Sequence, residues 1–111
     1  MPPSPPTLRL ALLAAPETAG ARPVLARARA RHAAGRARLS VLLSGEGLAW
    51  IGDADLEGVV AAPGAEVLLC SASAREAGLA LEEVPPGVRP SSLVAWLRDH
   101  RAGDALWSVL P

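Results

Sequence analysis

A single cysteine, Cys70, is the residue best placed for covalent chemistry. It ends the apolar run Glu66-Val67-Leu68-Leu69-Cys70 and precedes Ser71-Ala72-Ser73-Ala74, which reads as the first turn of a helix. A helix start presents unpaired N–H groups and positive partial charge. Both stabilise a thiolate and make the sulfur nucleophilic near neutral pH. Ser71 and Ser73 are expected to add hydroxyl donors, and Arg75 a cation, unless Arg75 points into solvent. The competing reading is a small core residue, because free cysteine is among the most buried types.

Spacing tests other chemistries at the same place. An anion-cradling loop of the cysteine phosphatases and rhodaneses needs five residues between cysteine and arginine. Here Arg75 follows after four, and Glu76 stands where a phosphate would meet a base. A phosphoacceptor site needs acidic residues after the first strand and at the end of the third, where Ala14-Ala15 and Cys70 stand. A flavodoxin-type phosphate loop needs a turn richer in Gly and hydroxyls than Pro16-Glu17-Thr18-Ala19-Gly20. One cysteine and the distant His32 and His100 have no metal-ligand spacing, and no metal or cofactor is expected. No Ser-His-Asp set is legible. His32 falls on the apolar side of a helix and reads as a packing residue. His100, near a helix end, suits the dipole there.

Positioning Cys70 requires strands that alternate with helices. Leu8 to Ala14 reads as a buried strand closed by Pro16. Pro23 to Ala34 reads as a helix stopped by Gly35, with Ala21, Val24, Leu25, Ala28 and His32 on one side. Arg38 to Ser44 is a second strand running into the turn Gly45-Glu46-Gly47, which is expected to carry Leu48 to Trp50 over the site. Gly45, Glu46, Gly47 and Trp50 are therefore expected site walls. Asp53 or Asp55 caps a second helix, broken by Pro63-Gly64. Glu66 to Cys70 is the third strand and Ser71 to Ala77 a short helix. Val84 to Pro90 reads as a stiff loop or irregular edge segment. Ser91 or Ser92 caps a last helix with Leu93, Trp96 and Leu97, and Ala105 to Leu110 closes as a strand. The strands read as continuous apolar runs, as in a parallel sheet covered on both faces. The expectation is an α/β fold, a three-layer α/β/α sandwich with a mainly parallel sheet of about five strands.

Composition bounds the rest. At 111 residues the chain suits one domain, spanning 8–111, with 1–7 as a disordered Pro-rich tail. Arginine replaces lysine throughout, and Phe, Tyr, Asn and Gln are absent, a pattern of GC-rich codons rather than of function. Zero formal net charge gives no global pull towards nucleic acid or an anionic membrane. The arginines at 22, 27, 29, 31, 36 and 38 surround the first helix instead of lining one face. No apolar run approaches the roughly 20 residues of a membrane span. A cytoplasmic location is the expectation.

The segment Leu68-Leu69-Cys70-Ser71-Ala72-Ser73-Ala74-Arg75-Glu76-Ala77-Gly78-Leu79 resembles the cysteine segment of the DsrE/TusD-like sulfur-relay family. Ser40-Val41-Leu42-Leu43-Ser44-Gly45-Glu46-Gly47-Leu48 is similar to its second strand and Gly-Asp-Gly-like turn. Pro85-Pro86-Gly87-Val88, followed by a Ser-started helix, resembles its tail. The first loop departs from the family, with Pro16 and Pro23 bracketing Glu17-Thr18. The resemblance implies a five-stranded parallel sheet, homo- or hetero-oligomers, and a persulfide on Cys70 passed from a sulfur-donor protein to a sulfur-acceptor protein. In some members this relay feeds 2-thiouridine formation in tRNA, in others sulfur oxidation. The chain would then be a sulfur carrier or sulfurtransferase accessory that needs no cofactor.

Two other classes stay open on the sequence. One is a non-catalytic oligomeric scaffold subunit, suggested by the apolar fraction and by Trp50 and Trp107 near strand and loop ends. The other is a small-molecule binding module at the same sheet edge.

Overall fold

The computed structural model describes residues 4–111. Five strands form one parallel sheet: β1 (Thr7–Leu12), β2 (Arg38–Leu43), β3 (Ala65–Cys70), β4 (Val88–Ser91) and β5 (Ala105–Val109). Their order is β4-β3-β2-β1-β5. The helices are α1 (Ala21–Ala33), α2 (Ala54–Val60), α3 (Ser71–Glu76) and α4 (Leu93–Arg98). The fold is the expected α/β/α sandwich, and its sheet is parallel throughout.

Strand alternation assigns the layers. Leu8, Leu10 and Leu12 of β1, Leu39, Val41 and Leu43 of β2, and Val67 and Leu69 of β3 face one side. They pack with Ala21, Leu25 and Ala28 of α1, Leu56 and Val59 of α2, and Ala74 of α3. The opposite side holds a smaller cluster of Ala11, Leu42 and Leu68 under Trp96 of α4. β1 to β4 step one place at a time along the sheet, with α1 to α3 on one face. The return from β4 to β5 reverses both direction and face, as a constant crossover hand requires.

The second face departs from the continuous apolar runs expected. Its amino-terminal row is Arg9, Ser40 and Glu66, adjacent in register. Trp96 Nε1 donates to Ser40 Oγ at 2.8 Å, and Ser40 Oγ donates to Glu66 Oε1 at 2.8 Å. Arg9 donates through Nε to the Trp96 carbonyl and pairs with Asp104 at 2.7 Å. One six-residue helix shields too little area for a fully apolar face. The row is polar instead, and each buried polar side chain described here has a partner.

Several boundaries shift. Pro23 is the third residue of α1, which starts at Ala21 behind Gly20. Asp53, not Asp55, caps α2, accepting the Asp55 N–H at 2.9 Å. Ser92, not Ser91, caps α4. The segment read as a loop or irregular edge ends in β4, a short edge strand. Residues 1–3 of the expected tail lie outside the described residues. Pro6 and Thr7 belong to the domain: the Pro6 carbonyl accepts from Arg38 N, and Thr7 N donates to Asp104. Among the described residues no helix is long and apolar enough to cross a membrane.

Asp104 closes this lower edge. The Thr7 and Arg101 N–H groups, with Arg9, hold its carboxyl down to about 2, despite opposing desolvation. A depressed carboxyl stabilises the fold above its unfolded value, and that stability is lost as pH falls through the folded one. The contribution therefore fades between about pH 4 and pH 2. Asp104→Ala leaves Arg9 buried without its partner. It should lower Tm at neutral pH by at least about 8 °C and flatten acid denaturation in that window, both followed by circular dichroism.

Candidate functional site

Cys70 ends β3 and is the residue from which α3 starts. β3 and β4 are adjacent strands whose following helices lie on opposite faces, the arrangement that opens a crevice at the carboxyl edge of a parallel sheet. The parallel register pairs Leu43 with Leu69 and Cys70 with Ser91. Ser44, one residue beyond Leu43, therefore stands beside Cys70.

The sulfur lies in a polar nest. Cys70 is 9 % exposed. Burial acts to raise its pKa, but hydrogen bonds outweigh it and hold the thiol below its ordinary value. Those bonds come from the Ser73 N–H, the hydroxyls of Ser73 and Ser44, and the Ala72 N–H. The two hydroxyls lie 3.2 Å apart and share one hydrogen. Ser73 Oγ also accepts the Gly45 N–H at 2.9 Å. With that oxygen occupied as an acceptor, a hydroxyl hydrogen remains for the sulfur.

The turn after β2 is a short 3-10 segment, Gly45–Trp50, rather than an open flap. Gly45, at φ +55°, is joined to α3 through Ser73. Gly47 lies against β1: a Cβ there would overlap the Leu12 carbonyl. Glu46 is exposed. Trp50 is not a site wall. It is fully buried, and its Nε1 donates to the Ala14 carbonyl at 2.9 Å, so it is core and unavailable for an interface.

The other expected partners of Cys70 divide. Ser73 is one of the groups that lower the Cys70 pKa, through its N–H and its hydroxyl. Ser71 is not, because its hydroxyl donates to the Ser91 carbonyl at 3.0 Å and ties α3 to β4. Arg75 is exposed and is not among the main causes of the Cys70 shift. It lines, with Ser71, Ala74, Leu79 and Pro90, a cleft of about 340 Å³ that Cys70 itself does not line. Ser44 was the donor missed. Its signal is its place at the end of the neighbouring strand, visible only once β2 and β3 are known to pair in this register.

His32 packs as expected at the end of α1, with its ring nitrogens 2.8 Å from the Ala37 carbonyl and 2.7 Å from the Pro63 carbonyl. Among the described residues no cluster of three or more His, Cys, Asp or Glu is arranged to hold a metal ion.

Fold and site together define a doubly wound α/β domain with a hydrogen-bonded cysteine at the carboxyl edge of its sheet. Comparison with protein-family models, with curated proteins and with solved structures found no match to this chain in any of the three.

The nest predicts a ranking. Ser73→Ala should slow alkylation of Cys70 by iodoacetamide at neutral pH by about tenfold. Ser44→Ala should slow it less, and Ser71→Ala should leave the pH dependence of the rate unchanged. Gly47→Ala should cost about 3 kcal/mol or more in urea unfolding, because the Leu12 backbone has nowhere to go.

Proposed function

We propose that the chain is a sulfur carrier, or sulfurtransferase accessory, that holds a sulfane sulfur as a persulfide on Cys70. The observation that carries the reading is the donor set around the sulfur: two hydroxyls and two backbone N–H groups favour the anion without a metal or a general base. A carrier needs little more. The Cys70 thiolate attacks the outer sulfur of a donor persulfide, a new S–S bond forms, and the donor thiolate leaves. An acceptor thiolate then attacks the outer sulfur and Cys70 leaves as thiolate. Neither step changes the total oxidation state. The Ser73 and Ser44 hydroxyls stabilise the sulfur anion at the start of the first step and at the end of the second. The partners are donor and acceptor proteins, and the resemblance of the Cys70 segment to the sulfur-relay family supports the same reading.

A second reading is favoured by the closure of the sulfur. With Cys70 9 % exposed, the domain suits a scaffold subunit that has kept the fold and lost the transfer. One experiment separates the two. The protein is incubated with a cysteine desulfurase and free cysteine and then weighed intact. A carrier gains one sulfur atom, and Cys70→Ser does not. Absence of the gain in wild-type protein, or an equal gain in Cys70→Ser, overturns the carrier reading. Alkylation of native Cys70 no faster than its global unfolding would favour the scaffold.

A further inference from the structure

The two edges of the sheet are built differently. β4 is four residues long and carries Pro90 and the exposed Arg89, features that discourage another strand from pairing. β5 has neither, since Ala105–Val109 contains no proline and no charge. Its inner side is taken by β1. The Leu13 N–H donates to the Val109 carbonyl at 3.0 Å, so Ala105, Trp107 and Val109 turn their backbone groups inward. Leu106 and Ser108 turn theirs outward, where no described residue meets them.

The flanks of this edge carry complementary chemistry. On the second face Leu106 and Leu110 are 51 % and 63 % exposed. On the first face Arg31 lies over the Trp107 ring, 5.7 Å from its centroid. Val24, Arg27, Trp107 and Ser108 line a cleft of about 280 Å³ beside it. Among the described residues neither Arg27 nor Arg31 forms an ion pair. A guanidinium stacked on a ring still has its in-plane N–H groups free for a carboxylate.

We infer that β5 accepts an extended, acidic segment of a partner protein as a sixth strand. Its main chain bonds to Leu106 and Ser108. Its side chains alternate, with carboxylates towards Arg27 and Arg31 and aliphatic groups beside Leu106 and Leu110. A second copy of this chain is the poorer occupant. An isologous antiparallel pairing of two β5 strands would bring Arg27 and Arg31 of each protomer against the same arginines of the other.

The probe is a fluorescent, N-acetylated hexapeptide of alternating Val and Glu, titrated by anisotropy with the full chain up to about 1 mM. It should bind, and a Val–Lys peptide should bind at least about tenfold more weakly. Ser108→Pro removes an outward N–H at an edge position that tolerates proline, and should weaken binding by a similar factor with the far-ultraviolet spectrum unchanged. Should that variant misfold, N-methylation of alternate peptide residues tests the same bonds on intact protein. Arg27→Ala/Arg31→Ala should lose at least about threefold, and Cys70→Ser nothing, which keeps this result separate from the sulfur chemistry. No binding, equal binding of the Val–Lys peptide, or unimpaired binding of both N-methylated registers overturns the inference. So does self-association through β5 in sedimentation that Ser108→Pro abolishes, because the edge then belongs to a second copy.

Discussion

The register of β2 against β3 is the constraint on which the site depends. Leu43 beside Leu69 puts Ser44 beside Cys70. The packing of Val41, Leu43, Val67 and Leu69 into the same core fixes that register, because a slip of β3 by one residue would turn Val67 and Leu69 to the other face. The hydroxyls that meet the sulfur are therefore placed by hydrocarbon. Ser44 is positioned by the strand that precedes it, Ser73 by the first turn of α3, and the contact of Gly47 with the Leu12 carbonyl holds the intervening segment down on β1.

The two faces of the sheet solve different problems. The first is covered by three helices and can be apolar from end to end. The second has only α4, whose Trp96 spans both kinds of row. Its ring covers Ala11, Leu42 and Leu68, while its Nε1 reaches Ser40 in the polar row. Arg9 and Asp104 complete that row, joining the start of β1 to the start of β5. Desolvating this ion pair is costly, but it also carries hydrogen bonds to Trp96, Thr7 and Arg101. Those bonds fix how the return connection from α4 enters β5.

Much of this was legible in the sequence, and the failures have physical causes. The first three strands and the helices between them follow from short apolar runs bounded by Gly and Pro, although the runs Leu8 to Ala14 and Arg38 to Ser44 outlast the strands, which end at Leu12 and Leu43. β4 was hidden because four residues containing Pro90 have no periodicity to read. Trp50 differs because Gly45-Glu46-Gly47 reads as a tight turn that carries Leu48 to Trp50 over the site, whereas the 3-10 segment winds the ring inward onto the Ala14 carbonyl. The polar row was missed because Arg9, Ser40 and Glu66 each look like an interruption of one strand, and only pairing shows them as neighbours. Ser71 and Ser73 cannot be told apart by spacing alone. The first reaches β4, and the second turns back over the end of β2.

The environment of Cys70 contains an opposition that bears on any role for it. Burial penalises the thiolate, and the same burial strengthens the hydrogen bonds that favour it. The bonds prevail because they converge from two elements, the first turn of α3 and the end of β2. Such preorganisation is useful to a thiol that cycles between anion and disulfide-like states, and it is redundant for a cysteine that only fills space. Access is the opposing demand, since a sulfur so nearly closed admits a second sulfur only if something beside it gives way. The elements beside it are not equally fixed. β2 is held on both sides by paired strands, whereas β4 is a four-residue edge strand with one neighbour in the sheet. Room for a partner thiol is therefore most cheaply made on the β4 side, where the Ser71 hydroxyl bond to the Ser91 carbonyl is the link that must stretch.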